Sequence, residues 1–238
     1  MSASRPRGCG ELLKTLYERA RVFLKWIVCE VDEQQRDAFH EAQMAWNQMR
    51  AAVGLIAQIG GWSTTGHEAC ILALWEDQPS YERFFQFIHD AVTHKNLQGR
   101  TYRRADIALA SGLIRMRGAA PTLTAAATEA RFLRVADCHV RPARRNHFMD
   151  AQLGIWEPGM AGCQGHLGGA FSVVEGEEDR FLVTTLWRDE KSHDLYVREV
   201  LPGLKDQAQP EGDLRGITSR RVRLEQEWTV VPFRVAPH

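Results

Sequence analysis

FLKWIVCEVDEQQRDAFHEAQMAW, residues 23–46, and FLRVADCHVRPARRNHFMDAQLGI, residues 132–155, are two spellings of one phrase. At an offset of 109, eight of the twenty-four positions are identical. Phe23, Leu24, Cys29, Val31, Arg36, Phe39, Ala42 and Gln43 meet Phe132, Leu133, Cys138, Val140, Arg145, Phe148, Ala151 and Gln152. The match then continues with small shifts. Gly54, Gly60 and Gly61 meet Gly162, Gly168 and Gly169 at offset 108, which lays QIGGWS over the similar GHLGGAFS. Leu74, Trp75, Asp77 and Ser80 meet Leu186, Trp187, Asp189 and Ser192 at offset 112. A fixed-period self-match of this kind marks a tandem duplication, with the shifts falling in loops that tolerate insertion.

Each copy can be read once and checked against the other. VFLKWIVCEV is a strand-like run closed by Asp32, and Asp32 with Gln35 has the spacing of a capping box. Phe39, Ala42, Trp46 and Met49 then mark one face of a helix. In the second copy Pro142 takes the first helical turn, where proline fits. GLIAQI and EACILALWE read as a hairpin joined by a long loop, GGWSTTGH. No helix start follows these glycines, so backbone freedom rather than phosphate binding explains them. Asp77 and Pro79 signal a second helix with a stripe of Tyr81, Phe84, Phe85, Ile88 and Val92, and a last strand runs from Tyr102 to Leu113. The order strand, helix, strand, strand, helix, strand is the ferredoxin-like unit.

FLKWIVC, ACILALW and FLVTTLW are apolar, or nearly so, on both faces, whereas the helices of such a unit cover one face only. The second copy's sheet must cover the other. The expected architecture is therefore α+β: two tandem ferredoxin-like (βαββαβ) units whose antiparallel sheets pack face to face as a barrel within one chain. The expected boundaries are an extension over 1–20, unit 1 over 21–117, a linker over 118–129 and unit 2 over 130–235. Leu12, Leu13, Leu16 and Tyr17 fall at helical spacing in the extension, and both a short docking helix and a frayed tail fit them.

Thirty basic residues balance thirty acidic ones, which leaves no electrostatic footprint for nucleic acid or an anionic membrane surface. The apolar runs fall short of the roughly 20 residues that a membrane helix needs. The basic start MSASRPRGCG leads into ELLKTLYERAR rather than into an apolar core, and the five cysteines form no CxxC pair. A cytoplasmic protein with small buried thiols is expected.

The phrases KWIVCEV, AQMAWNQ, IAQIGGW, EACILALWED and IHDAVTHKN closely resemble the YdbC-like proteins, an uncharacterised bacterial group of the dimeric α/β barrel superfamily. The resemblance covers residues 23–115 best, and the second copy looks like a diverged paralogue. It implies an intrachain version of a barrel usually built by two chains, so that a monomer forms the pseudo-dimer, with further homodimerisation open. The superfamily holds antibiotic-biosynthesis monooxygenases, haem-degrading monooxygenases, chlorite-dismutase-like haem proteins and stress-response proteins. It implies no single activity. The expected function is a small-molecule-binding, monooxygenase-like protein acting on an aromatic or apolar metabolite. The alternatives are a non-catalytic stress-response or scaffold protein and a haem-binding or haem-degrading protein. No cofactor is favoured, and haem stays possible.

Three groups of residues could carry chemistry. Haem-degrading relatives use an asparagine on the first strand with a tryptophan and a histidine around the second helix. Here the asparagine is missing, Trp75 ends a strand, and only His89 and His94 sit late in that helix. Asp137 and His139 lie two apart on a strand and share a face. With His166 on the neighbouring hairpin they would make a general acid/base set or a two-histidine, one-carboxylate metal site. Strand order makes the metal reading awkward, and no metal is expected; Asp137 could instead pair with Arg134 or Arg141. Finally His89 could line an aromatic pocket with Trp26 and Trp46, and Trp62 sits at its mouth, against the plain reading of these tryptophans as core.

Overall fold

A computed structural model describes residues 22–89 and 97–233, with Ile88 and His89 described by backbone alone. The N-terminal extension, Asp90, Val92 and His94 lie outside the described residues. Unit 1 contains β1 (Phe23–Glu30), α1 (Arg36–Met44), β2 (Leu55–Ser63), β3 (Glu68–Trp75), α2 (Gln78–Phe84) and β4 (Arg104–Met116). A linker helix α3 (Leu123–Glu129) follows. Unit 2 contains β5 (Phe132–Val140), α4 (Arg145–Ala151), α5 (Glu157–Ala161), β6 (His166–Val174) and β7 (Glu177–Trp187). It ends with α6 (Glu190–Glu199), α7 (Leu201–Ala208), α8 (Pro210–Asp213) and β8 (Leu214–Leu224). Among the described residues no helix is long and apolar enough to cross a membrane.

The eight strands close into one antiparallel barrel in the order β1-β3-β2-β8-β5-β7-β6-β4. Strand alternation explains why the runs are apolar on both faces. Leu24, Trp26 and Val28 point into the barrel with Ile59, Leu72, Leu133, Val135, Leu182 and Val222, a core shared by both units. Phe23, Cys29, Ala69, Ile71 and Trp75 point outward under the helices of unit 1. The linker is not bare chain. Thr122 Oγ1 accepts the Ala125 N–H at 3.0 Å, and Leu123, Ala126 and Ala127 close the barrel end where β1 and β5 begin.

The duplication survives in detail. Asp77 accepts the Ser80 N–H at 2.8 Å and Asp189 accepts the Ser192 N–H at 2.7 Å, the same cap on α2 and α6. An Asp189→Ala protein should lose about 1 kcal/mol of stability, and a urea midpoint that does not move would remove that cap from the energetics. The capping box expected of Asp32 does not form, because its carboxylate bonds Arg103 Nε at 2.8 Å instead.

The glycine pairing is also corrected. Gly54 (φ +81°) and Gly165 (φ +77°) are the true counterparts: their carbonyls accept the N–H of Glu76 and Arg188 at 2.8 Å, one residue past Trp75 and Trp187. Leu55 then pairs Trp75 as His166 pairs Trp187, and a bulge follows each. The offset here is 111, not 108. Gln58 corresponds to Gly169 and Gly60 to Phe171, so the two double glycines are not equivalent. Nor do Gly60, Gly61 and Trp62 form the hairpin loop; they lie inside β2, where a Cβ on Gly61 would strike the Arg223 carbonyl of β8.

A cavity beneath the helices of the first unit

Under the helices of unit 2 the side chains pack as one continuous cluster running from Leu113 and Phe132 through Phe148, Phe171 and Phe181 to Leu204. Among the described residues of unit 1 the same layer falls into two clusters. Phe23, Met49, Trp75, Tyr81 and Phe84 form one cluster, and Cys29, Phe39, Ile71 and Trp228 form the other. Between them lies a cavity of about 290 Å³. Its walls include Trp46, Trp75, Tyr81, Phe84 and Tyr102, and its polar lining is Lys25, Gln43, Gln58 and Gln98.

The sheet positions the polar groups. Lys25 on β1 pairs with Ala73 on β3, which pairs with Gln58 on β2, so the three stand in one row on the outer face. The small methyl of Ala73 leaves space between two long polar side chains. Lys25 is buried, and its Nζ lies 5.7 Å from the Tyr81 ring centroid and 5.6 Å from that of Phe85. Among the described residues no carboxylate stands within ion-pair distance of it. Burial accordingly pushes its pKa down. Burial likewise pushes the neighbouring Cys29 thiol up to about 12, so that it stays neutral. On the helix side, Trp46 Nε1 donates to Gln98 Oε1 at 2.6 Å, and Gln98 Nε2 donates to Gln43 Oε1 at 2.7 Å. Indole and amides are thereby locked into one wall. A pocket of apolar walls with a few convergent polar groups is the usual form of a small-molecule site.

Of the residues singled out from the sequence, Trp46 lines this cavity, and the His89 side chain lies outside the described residues. Trp26 points the other way, into the barrel. Trp62 is on the helix side but packs against Phe39 and Trp228, with the Arg36 guanidinium 3.9 Å from its ring centroid. Asp137, His139 and His166 do not converge. Asp137 faces the barrel mouth and forms a bidentate pair with Arg180 at 2.7 and 2.9 Å, rather than with Arg134 or Arg141. His139 lies beside it, Nε2 3.7 Å from Oδ1. His166 sits at the opposite end of the sheet on its outer face, against Trp187 at 4.8 Å, because it occupies the place of Leu55. Among the described residues no three histidine, cysteine or acidic side chains gather at metal-binding distance.

The barrel mouth holds a second hollow, about 390 Å³, lined by Trp26, Arg104, Asp106, Asp137, Arg180 and Arg220. Its charges already engage one another or Glu68, which Arg220 grips at 2.9 and 3.0 Å. Lys25 and Gln58 were missed in the sequence. The available signal was a cation in the middle of FLKWIVC, repeated as Arg134 at the matching place in the second copy.

Residues 23–110, the part of the chain that builds this cavity, match a family described as a domain of unknown function (DUF4937). The uncharacterized protein YdbC of Bacillus subtilis (strain 168) is 35% identical over 80 residues, which span 32% of this chain and 67% of that protein. The chain belongs to this family. Its fold is that of the dimeric α/β barrels. A candidate monooxygenase from Fusobacterium nucleatum superposes with a TM-score of 0.70 at 11% identity, over 86% of this chain and 93% of that one. An anthrone oxidase-like protein gives 0.64 at 10% identity, over 89% and 93%. Chlorite dismutase from Candidatus Nitrospira defluvii gives 0.55 at 10% identity, over 90% and 95%. At these identities the likeness is one of fold.

Proposed function

We propose that unit 1 binds a one- or two-ring aromatic molecule in the cavity between β1, β3, β2 and its helices, and that the protein is a monooxygenase-like enzyme acting on that molecule. The observation that carries this reading is the asymmetry between the copies. Among the described residues the same duplicated layer is packed as one cluster in unit 2 and opened around Lys25, Ala73 and Gln58 in unit 1. A volume of about 290 Å³ sits at the small end of ligand pockets, which suits a naphthalene-sized body. Trp46, Tyr81 and Phe84 offer it aromatic faces. The anthrone oxidase-like neighbour supports an aromatic substrate by analogy of fold alone. The closed barrel needs no second chain, so a monomer is the proposed working unit, in the cytoplasm.

Haem fits the described residues poorly. Among them no histidine side chain lines the cavity. The buried imidazoles of unit 2, His166 and His193, pack directly against the Trp187 ring.

The reading is tested with 1,4-dihydroxynaphthalene, following thermal stabilisation under nitrogen and dioxygen uptake in air, in wild type and in Ala73→Leu. Wild type should be stabilised and should take up dioxygen above the uncatalysed rate. The variant, whose added methyls fill the gap in the polar row, should bind at least tenfold more weakly. If neither this compound nor other one- and two-ring aromatics raise the melting temperature of the wild type, the cavity is not a ligand site.

A further inference from the structure

Comparison of the two copies isolates three hydrogen-bond donors that unit 1 leaves unused around its cavity. In unit 2, Trp187 Nε1 donates to Thr185 Oγ1 at 3.0 Å. The counterpart of Thr185 in unit 1 is Ala73, since each faces the basic residue of the first strand, Arg134 or Lys25. An alanine cannot accept. The indole N–H of Trp75, fully buried and lining the cavity, consequently has no partner. The Gln58 side chain, 5% exposed, likewise has an unpartnered Nε2, and it too lines the cavity. The third donor is the Lys25 ammonium, which has no counter-ion among the described residues.

A buried donor without an acceptor destabilises the empty site, and a cation without a counter-ion favours an anion beside it. The two buried donors and the Lys25 ammonium, which has no counter-ion among the described residues, stand around one hollow and share one chemical complement, an anionic oxygen. Acceptor-only groups satisfy all three, whereas a neutral amide or an amine brings donors of its own into a donor-lined space. Strand spacing of about 4.8 Å puts the Lys25 and Gln58 backbones roughly 10 Å apart across Ala73. Two side chains of this length can close on one carboxylate or phenolate lying over the alanine.

Resting on the cavity reading above, we propose that the natural ligand carries an ionised oxygen on its aromatic body, held over Ala73 by Lys25 Nζ, Gln58 Nε2 and Trp75 Nε1. The body of the ligand lies against Trp46, Tyr81 and Phe84, and the anion is the end that selects it.

The experiment is a fluorescence or calorimetric titration of the full chain with 2-naphthoate and with its neutral isostere 2-naphthamide. It is run on wild type, Lys25→Met, Gln58→Leu and Ala73→Thr. Wild type should prefer naphthoate by tenfold or more. Lys25→Met and Gln58→Leu should each lose tenfold or more toward naphthoate and leave naphthamide unchanged. Ala73→Thr, which recreates the acceptor that unit 2 gives its tryptophan, should weaken naphthoate and raise the melting temperature of the unliganded protein. Equal binding of the two probes by wild type, or naphthoate affinity indifferent to both Lys25→Met and Gln58→Leu, overturns the proposal and leaves the cavity reading standing. Binding of neither probe, with no stabilisation by 1,4-dihydroxynaphthalene, overturns both.

Discussion

Between pH 7 and pH 5 the protein should lose about 2 kcal/mol of stability through His166 alone, with a further loss through His193. Both imidazoles lie in the packed layer of unit 2, His166 with no exposed surface and His193 nearly so. Burial lowers the pKa of His166 from 6.5 to about 4, although the Met160 backbone and the charge of Glu157 pull part of the shift back. His193 is also lowered to about 4, first by burial and then by the charges of Arg221 and Arg134. In each case the folded state excludes a proton that the unfolded chain binds. Stability is then fully present above pH 6.5, falls as the unfolded histidines titrate, and levels off below pH 4. One group contributes a slope of about 1.4 kcal/mol per pH unit inside that window.

The duplication supplies the control. His166 stands where unit 1 has Leu55, so His166→Leu installs the side chain the fold already uses there. The variant should match or exceed wild-type stability at pH 7 and be more stable by about 2 kcal/mol at pH 5. Urea unfolding at the two pH values measures both. If wild type and variant show the same pH dependence, His166 is not protonated on unfolding in the way its burial requires.

The same substitution shows what could be read from the sequence. The offset of 109 was legible because Phe23, Phe39 and Ala42 and their partners face packed layers, where volume restricts substitution. From the duplication followed the order of elements in each unit and the match of Asp77 to Asp189, and from the apolar strands followed the shared core. The register of β2 against β6 was not legible. Glycine pairs suggested an offset of 108, but Gly61 is required by the backbone of β8 and Gly168 by its own φ of +131°. Equal letters at these places report different constraints. His166 was consequently aligned with Gln58 rather than Leu55, which placed it on the wrong face to join Asp137. Lys25 was passed over because a strand's sequence does not say which face meets helices and which meets the barrel. Only the pairing with Ala73 and Gln58 makes it a cavity residue.

Trp228 was invisible for a different reason, since its value depends on a vacancy in the other unit, and Trp228→Ala should cost about 3–5 kcal/mol. In unit 2 the space above the sheet is filled by Phe171 and Phe181, which pack on Phe148 at 6.0 and 5.4 Å. Their counterparts in unit 1 are Gly60 and Ala69, and the room they leave is taken by Trp228 from the chain after β8. Its ring packs on Phe39 at 5.6 Å and Trp62 at 5.3 Å, with Nε1 donating to His40 Nδ1 at 3.0 Å. A glycine and an alanine cannot collapse into the hole, which puts the loss toward the upper end of the range. The seam this tail reinforces is thin, because β2 pairs with β8 only over Gly61, Trp62 and Ser63. Beyond it, Val230 and Gln58 exchange backbone hydrogen bonds at 2.7 and 2.8 Å. Removing the indole should therefore speed hydrogen exchange at the Gln58 and Val230 amides before other barrel strands respond. It should also weaken naphthoate binding, since Gln58 projects into the cavity from the strand that the tail fastens. A loss below 2 kcal/mol, with exchange at Gln58 unchanged, would show that β2 holds its place without the tail.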